Sequence, residues 1–184
     1  MIRFLENHDE PRAGYLFTPR KNQCAMIIHA SLPGMKLWQH GQLEGNQIRV
    51  PVQLRRGPIE KELSDLSSFS GRLLYEVDHP VFHNGKWEIC DITGWPDNQS
   101  HENLLAWRWS YNGERRLIIV NISDSYADGL VTLPMKWLPR EKQILFYDPL
   151  KYQNYLRESA EIANSGLYVR LDKYDYHFFK AREI

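Results

Sequence analysis

The hydrophobic pattern changes character twice along this chain. Ile2, Arg3, Phe4 and Leu5 mix apolar and polar positions and then break into the polar cluster Glu6, Asn7, His8, Asp9, Glu10, Pro11. This predicts a short strand that delivers charged groups at its C-terminal end. Thr18 followed by Pro19 is a helix start, because Thr caps and Pro suits a first turn that has no use for its missing N–H. The predicted helix covers residues 19–32. Its residues Cys24, Ala25, Met26, Ile27, Ile28, Ala30 and Leu32 make it apolar around most of its circumference, so it should be well buried. Pro33 and Gly34 stop it. A second strand is expected over residues 35–40, ending in the polar loop of residues 41–45. Strand, helix and strand in this order suit a right-handed parallel crossover. After an irregular stretch, Ile59, Leu63, Leu66, Phe69, Leu73 and Val77 recur at spacings of three and four, predicting an amphipathic helix over 58–77. His79 and Pro80 end it.

From Lys86 onward short runs rich in aromatic and β-branched residues take over, at 87–92, 104–111, 115–122, 129–133, 143–147, 167–171 and 174–180. Asn112-Gly113 between the second and third runs predicts a type I′ hairpin, whose two central residues need positive φ. Seven or so strands with Gly and Pro turns between them predict an antiparallel β-sandwich. The boundary is placed near Asn84-Gly85, giving an α/β part over 1–84 and a β-sandwich over 85–184.

Composition narrows the function classes. The chain has 184 residues, is 42% hydrophobic and 25% charged, and carries formal net charge zero. It is too short for a complete (β/α)8 barrel, which takes roughly 250 residues. Balanced charge gives no reason to expect nucleic acid or an anionic membrane as partner, whereas a neutral glucan is compatible. No apolar run approaches the ~18 residues of a membrane span, and no signal pattern opens the chain, so a cytoplasmic location is expected. Cys24 and Cys90 read as buried free thiols. His79 and His83 have helical spacing, but Pro80 between them spoils a metal pair, and neither metal nor cofactor is expected. Trp95, Trp107 and Trp109 read as sandwich core or interdomain packing in preference to a sugar-stacking surface.

Phe4-Leu5-Glu6-Asn7-His8-Asp9 resembles the F-x-E-N-H-D motif on strand seven of the α-amylase family, glycoside hydrolase family 13. Residues 34–42, Gly-Met-Lys-Leu-Trp-Gln-His-Gly-Gln, are similar to its strand-eight pattern G-x-P-x-x-Y-x-G-[DQ]-E. Here His40 precedes the glycine where the family has an aromatic, and Leu43 replaces the acid, with Glu44 one place later. Arg49-Val50-Pro51-Val52 is similar to the R-x-P-M element that follows. The resemblance implies the C-terminal part of such an enzyme: the last units of an incomplete (β/α)8 barrel over 1–84, then the C-terminal β-sandwich domain over 85–184. It implies that Asp9 is a third carboxylate, one that grips sugar hydroxyls and stabilises the oxocarbenium-like transition state. His8 is then its sugar-binding neighbour, and Asn7, beside it in the substrate-binding set, fixes the loop together with Glu6.

Retaining glycosidases need a nucleophile and an acid/base carboxylate about 5 Å apart. In this family they lie on strands four and five, which the chain does not contain, so no activity is expected of it alone. The implied partner is an α-glucan or oligosaccharide in the full-length enzyme, and exposed barrel surfaces suggest self-association. Two alternatives stand beside this reading. One is a non-catalytic β-sandwich module that binds glucan or another protein. The other is an unrelated α+β domain in which Asn7-His8-Asp9 is a capping turn.

Overall fold

The structure, a computed structural model, describes residues 2–138 and 143–184. The chain divides into two compact units, Met1–Asp78 and His79–Ile184.

In the first unit, β1 (Ile2–Arg3) pairs in parallel with β2 (Met35–Lys36), Ile2 opposite Met35 and Arg3 opposite Lys36. The Leu37 N–H extends the ladder to Arg3 O at 2.8 Å. Both strands are shorter than the runs that predict them, because the chain leaves the ladder for the loops that follow. Between them lie the single turn α1 (Ala13–Leu16), which no apolar period announces, and α2 (Pro19–Ser31). The Thr18 side chain accepts the Lys21 N–H at 3.4 Å, as the capping signal predicts. Buried residues surround much of α2, including Cys24, Met26, Ile27 and Ala30 but also Asn22, His29 and Ser31.

Helix α3 (Ser64–Val77) packs on α2 and buries Leu66, Phe69 and Leu73 at the predicted spacing. It starts later than residue 58 for a visible reason. The Glu60 carboxylate accepts the N–H groups of Gln47 and Ile48 at 2.7 and 3.2 Å, and the Leu63 N–H is bound to Glu44 O at 3.0 Å. Those bonds hold residues 58–63 extended against the preceding loop, with Ile59 wholly exposed. Two strands make no closed barrel among the described residues. The apolar side chains of Ile2, Phe4, Met35 and Leu37 stay 40–66% exposed.

The second unit opens with α4 (Pro80–Asn84), whose Phe82 packs against Trp109 and Phe178. The strands follow as β3 (Lys86–Ile89), β4 (Ile92–Thr93), β5 (Leu104–Tyr111), β6 (Glu114–Asn121), β7 (Ala127–Val131), β8 (Gln143–Asp148) and β9 (Gln153–Glu158). Then come α5 (Ser159–Ser165), β10 (Leu167–Leu171) and β11 (Tyr176–Glu183). They form two antiparallel sheets, one ordered β3-β5-β6-β11-β8-β9 and the other β10-β7-β4. Leu117, Ile119, Phe146 and Phe179 of the large sheet meet Val131, Leu167, Val169 and Leu171 of the small one in a shared core.

The run at 87–92 proves to be two strands in different sheets. Cys90 N–H bonds Ala106 O in the large sheet, and Asp91 O accepts the Thr132 N–H beside the small one. The hairpin between β5 and β6 turns on Asn112 and Gly113 at φ 47° and 84°, both positive as a type I′ turn requires.

Candidate functional site at the ends of the parallel strands

Because β1 and β2 run parallel, their C-terminal ends open on the same side. The loops that leave them there are held together by buried charge. Glu6 is fully buried, paired with Arg12 at 2.9 Å, and also accepts the Ala13 N–H. Burial pushes its carboxyl up, opposed by the Ala13 hydrogen bond and the Arg12 guanidinium. Arg12 in turn donates from Nη2 to His40 O at 2.8 Å, so one guanidinium ties the first loop to the second. Arg49 does the same from the far side, donating Nε to His8 O at 3.1 Å.

Within the first loop the Asn7 Oδ1 accepts the N–H groups of Asp9 at 2.7 Å and Glu10 at 3.2 Å. This is an Asx turn, and it fixes the backbone that carries His8 and Asp9. Their side chains are 56% and 73% exposed, and His8 Nε2 lies 3.3 Å from Asp9 Oδ2. The second loop turns at Gly41 and Gly45, both near φ 80°. A methyl group on Gly41 would collide with the Asn46 amide and crowd Arg12, so glycine serves close approach there as well as φ.

These loops enclose a cleft of about 330 Å³, lined among others by Asn7, His8, Gln39, His40, Arg49 and Glu60. Asn7 and His8, two of the residues expected at the site, thus line the cleft, while Asp9 sits in the same turn but not on the lining. His40, Arg49 and Glu60 are the residues that sequence reasoning passed over as site candidates. His40 and Arg49 lay in quoted motifs, but Glu60 reaches the cleft through loop geometry that no local pattern encodes. The nearby carboxylates have partners: Glu6 has Arg12, Glu60 has two backbone N–H groups, and Asp9 has His8. The cleft therefore offers imidazole and guanidinium donors and amides, with the exposed Asp9 carboxylate in the adjoining turn, a set suited to hydroxyl-rich ligands. Among the described residues no group of three or more His, Cys, Asp or Glu could hold a metal ion.

The tryptophans separate. Trp107 and Trp109 are each 3% exposed, on the face of β5 opposite the one that Leu104 and Ala106 give to the inter-sheet core, with Trp109 against Phe82 of α4. Trp95 is half-buried against Tyr168, ring centroids 6.1 Å apart. Among the described residues no helix is long and apolar enough to cross a membrane.

Neither a family model nor a curated protein matches the sequence. Solved structures do match, over both units. A maltogenic α-amylase from Thermotoga neapolitana superposes with TM-score 0.73 at 17% identity, covering 97% of this chain and 40% of that one. An α-amylase from Geobacillus thermoleovorans, complexed with acarbose, gives 0.70 at 17% identity over 99% of this chain and 39% of that one. An α-amylase from Lactobacillus plantarum gives 0.68 at 13%, over 97% and 37%. At such identities the likeness is one of fold. The chain has the fold of the C-terminal part of these amylases and spans about two fifths of their length.

Proposed function

We propose that this chain is the C-terminal part of a glycosidase of the α-amylase family acting on α-linked glucans. Its first unit then supplies the last β/α units of the catalytic barrel, and its second is the C-terminal β-sandwich domain. The observation that carries the reading is the Asn7-His8-Asp9 turn, pinned by Asn7 and Arg49 at the C-terminal end of β1 beside the end of parallel β2. In barrel enzymes the reacting groups gather at that face. The acarbose held by the Geobacillus enzyme supports an oligosaccharide as the ligand class.

In this reading Asp9 places a negative charge beside the sugar ring as oxocarbenium character develops, and His8 and Asn7 bind substrate beside it. Glu6 and Arg12 keep the two loops in register. Nucleophile and acid/base come from barrel strands outside this chain. Incubated with starch, maltooligosaccharides or an aryl α-glucoside, residues 1–184 alone should release nothing above blank. In the full-length enzyme, Asp9→Asn should lower kcat by about a hundredfold to a thousandfold with folding intact, since the loss falls on transition-state charge. Near-normal kcat in that variant rejects the role. Turnover by residues 1–184 that disappears in Asp9→Ala rejects the division of labour.

The second reading is a non-catalytic module that binds glucan or a protein. It is supported by the core that the second unit closes between its own two sheets. An activity that appears only when the remaining barrel units are supplied discriminates against it.

A further inference from the structure

The sandwich has a second cleft, remote in sequence from the Asn7–Asp9 turn. It measures about 200 Å³ and lies between the edge strands β9 and β10. The register shows how it is built. On β9, Tyr155 stands opposite Phe146 and Arg157 opposite Ile144, so both occupy the face of the sheet that elsewhere carries the core. Aliphatic residues would ordinarily fill such inward positions.

Here the wall is aromatic. His177 stacks on Phe179 at 4.5 Å and 19°, and Tyr155 meets both edge-on at 5.2 and 5.4 Å. From β10, Tyr168 and Arg170 reach the rim. Inward charge on an edge strand protects against strand pairing, but that task needs neither a cavity nor an aromatic wall.

Charge selects the ligand class. Arg157, Arg170 and His177 line the cleft, and no carboxylate does among the described residues. Asp148 stands behind His177, Oδ2 at 3.7 Å from Nδ1, but it is fully buried and accepts the N–H groups of Leu150, Lys151 and Phe178. The Arg157 guanidinium donates to its neighbouring carbonyl, Leu156 O, and Arg170 rests over the Tyr126 ring at 4.7 Å. Guanidinium groups bind phosphate and carboxylate oxygens in bidentate fashion, and a ring face stacks on Tyr or His. We infer that this cleft binds a small ring-bearing anion of the sugar-phosphate class, independently of the reading given to the Asn7–Asp9 turn.

The test uses the whole chain, with amide shifts and calorimetry read against glucose 1-phosphate, maltose and inorganic phosphate. Glucose 1-phosphate should bind saturably, shift the amides of Tyr155, Arg157 and Tyr168, and weaken as salt rises. Arg157→Gln should weaken it about tenfold or more, the ordinary cost of one charge-assisted contact. Arg157→Lys, which keeps the charge but loses the fork, should fall between and covers the case in which the Gln variant fails to fold. Inorganic phosphate binding equally well overturns the requirement for a ring. Maltose binding equally well overturns the requirement for an anion. Absence of saturable binding, or affinity unchanged in both variants, overturns the site.

Discussion

His29 is 3% exposed in α2 and faces Trp38 edge-on, ring centroids 4.5 Å apart. Burial lowers its pKa to about 4, the charge of Lys36 and that of Arg3 act in the same direction, and a hydrogen bond with the Leu37 backbone opposes them. In the unfolded chain the imidazole takes its proton near pH 6.5. Between those two values the unfolded state binds the proton that the folded state refuses, so stability rises with pH across the window and is lost as pH falls through it. The full effect is on the order of 3 kcal/mol. The slowest-exchanging amides of α2 and α3 should accordingly lose protection between about pH 7 and about pH 4.5. His29→Gln should flatten that loss, and an equally steep loss in the variant would clear His29 of the effect. No local pattern announces such a residue: a histidine in an apolar helix reads as one more buried position, and its charge state is set first by burial in the fold and then by Lys36 and Arg3 on other elements.

Elements were legible where local chemistry and tertiary environment agree. The β5–β6 hairpin is the clearest case: its ends, its turn and its positive φ values at Asn112 and Gly113 all lie within one continuous stretch. Helix α2 was legible from Thr18, Pro19 and its apolar run. Legibility fails where the decisive partner is distant. The start of α3 is set by Glu60 bonding Gln47 and Ile48, and Cys90 and Asp91 hand the chain from one sheet to the other. Strand β9 went unread because an edge strand with polar Gln153, Asn154, Arg157 and Glu158 lacks the apolar alternation of its neighbours. The candidate site was legible only as motifs. Asn7, His8 and Asp9 are contiguous and His40 and Arg49 fall in two further motifs, whereas Glu60 reaches the cleft only through the fold. The hairpin offers a clean test of local control. Beyond its two chain neighbours, no heavy atom of the described residues lies within 4 Å of a methyl group added to Gly113, so Gly113→Ala should cost only the backbone strain of φ 84°. That strain is about 1 kcal/mol, read as a lowered urea midpoint at unchanged slope. A neutral effect would mean that the turn relaxes to a conformation alanine accepts.

At the scale of the molecule the two units stand on different physical footings. The second closes a core between two sheets and needs nothing further to bury Leu117, Ile119, Phe146 and Phe179. The first holds a parallel pair of two residues each, a ladder normally covered on both faces and continued on both sides. Ile2, Phe4, Met35 and Leu37 are left 40–66% exposed, and apolar exposure beside open strand edges invites another strand or another copy of the chain. In the proposed enzyme the missing barrel strands supply that cover. Hydrogen exchange on a monomer verified by sedimentation should therefore find slow amides in Leu104–Tyr111 and Glu114–Asn121. Exchange should be much faster in Ile2–Arg3 and Met35–Lys36. Concentrating the chain should raise protection in the parallel pair alone if copies cover the apolar face, and sedimentation should then report association. Strong, equal protection in both units of a proven monomer would show that the first unit is complete by itself. It would then stand as a self-contained domain, and the proposal that further barrel units finish it would fall.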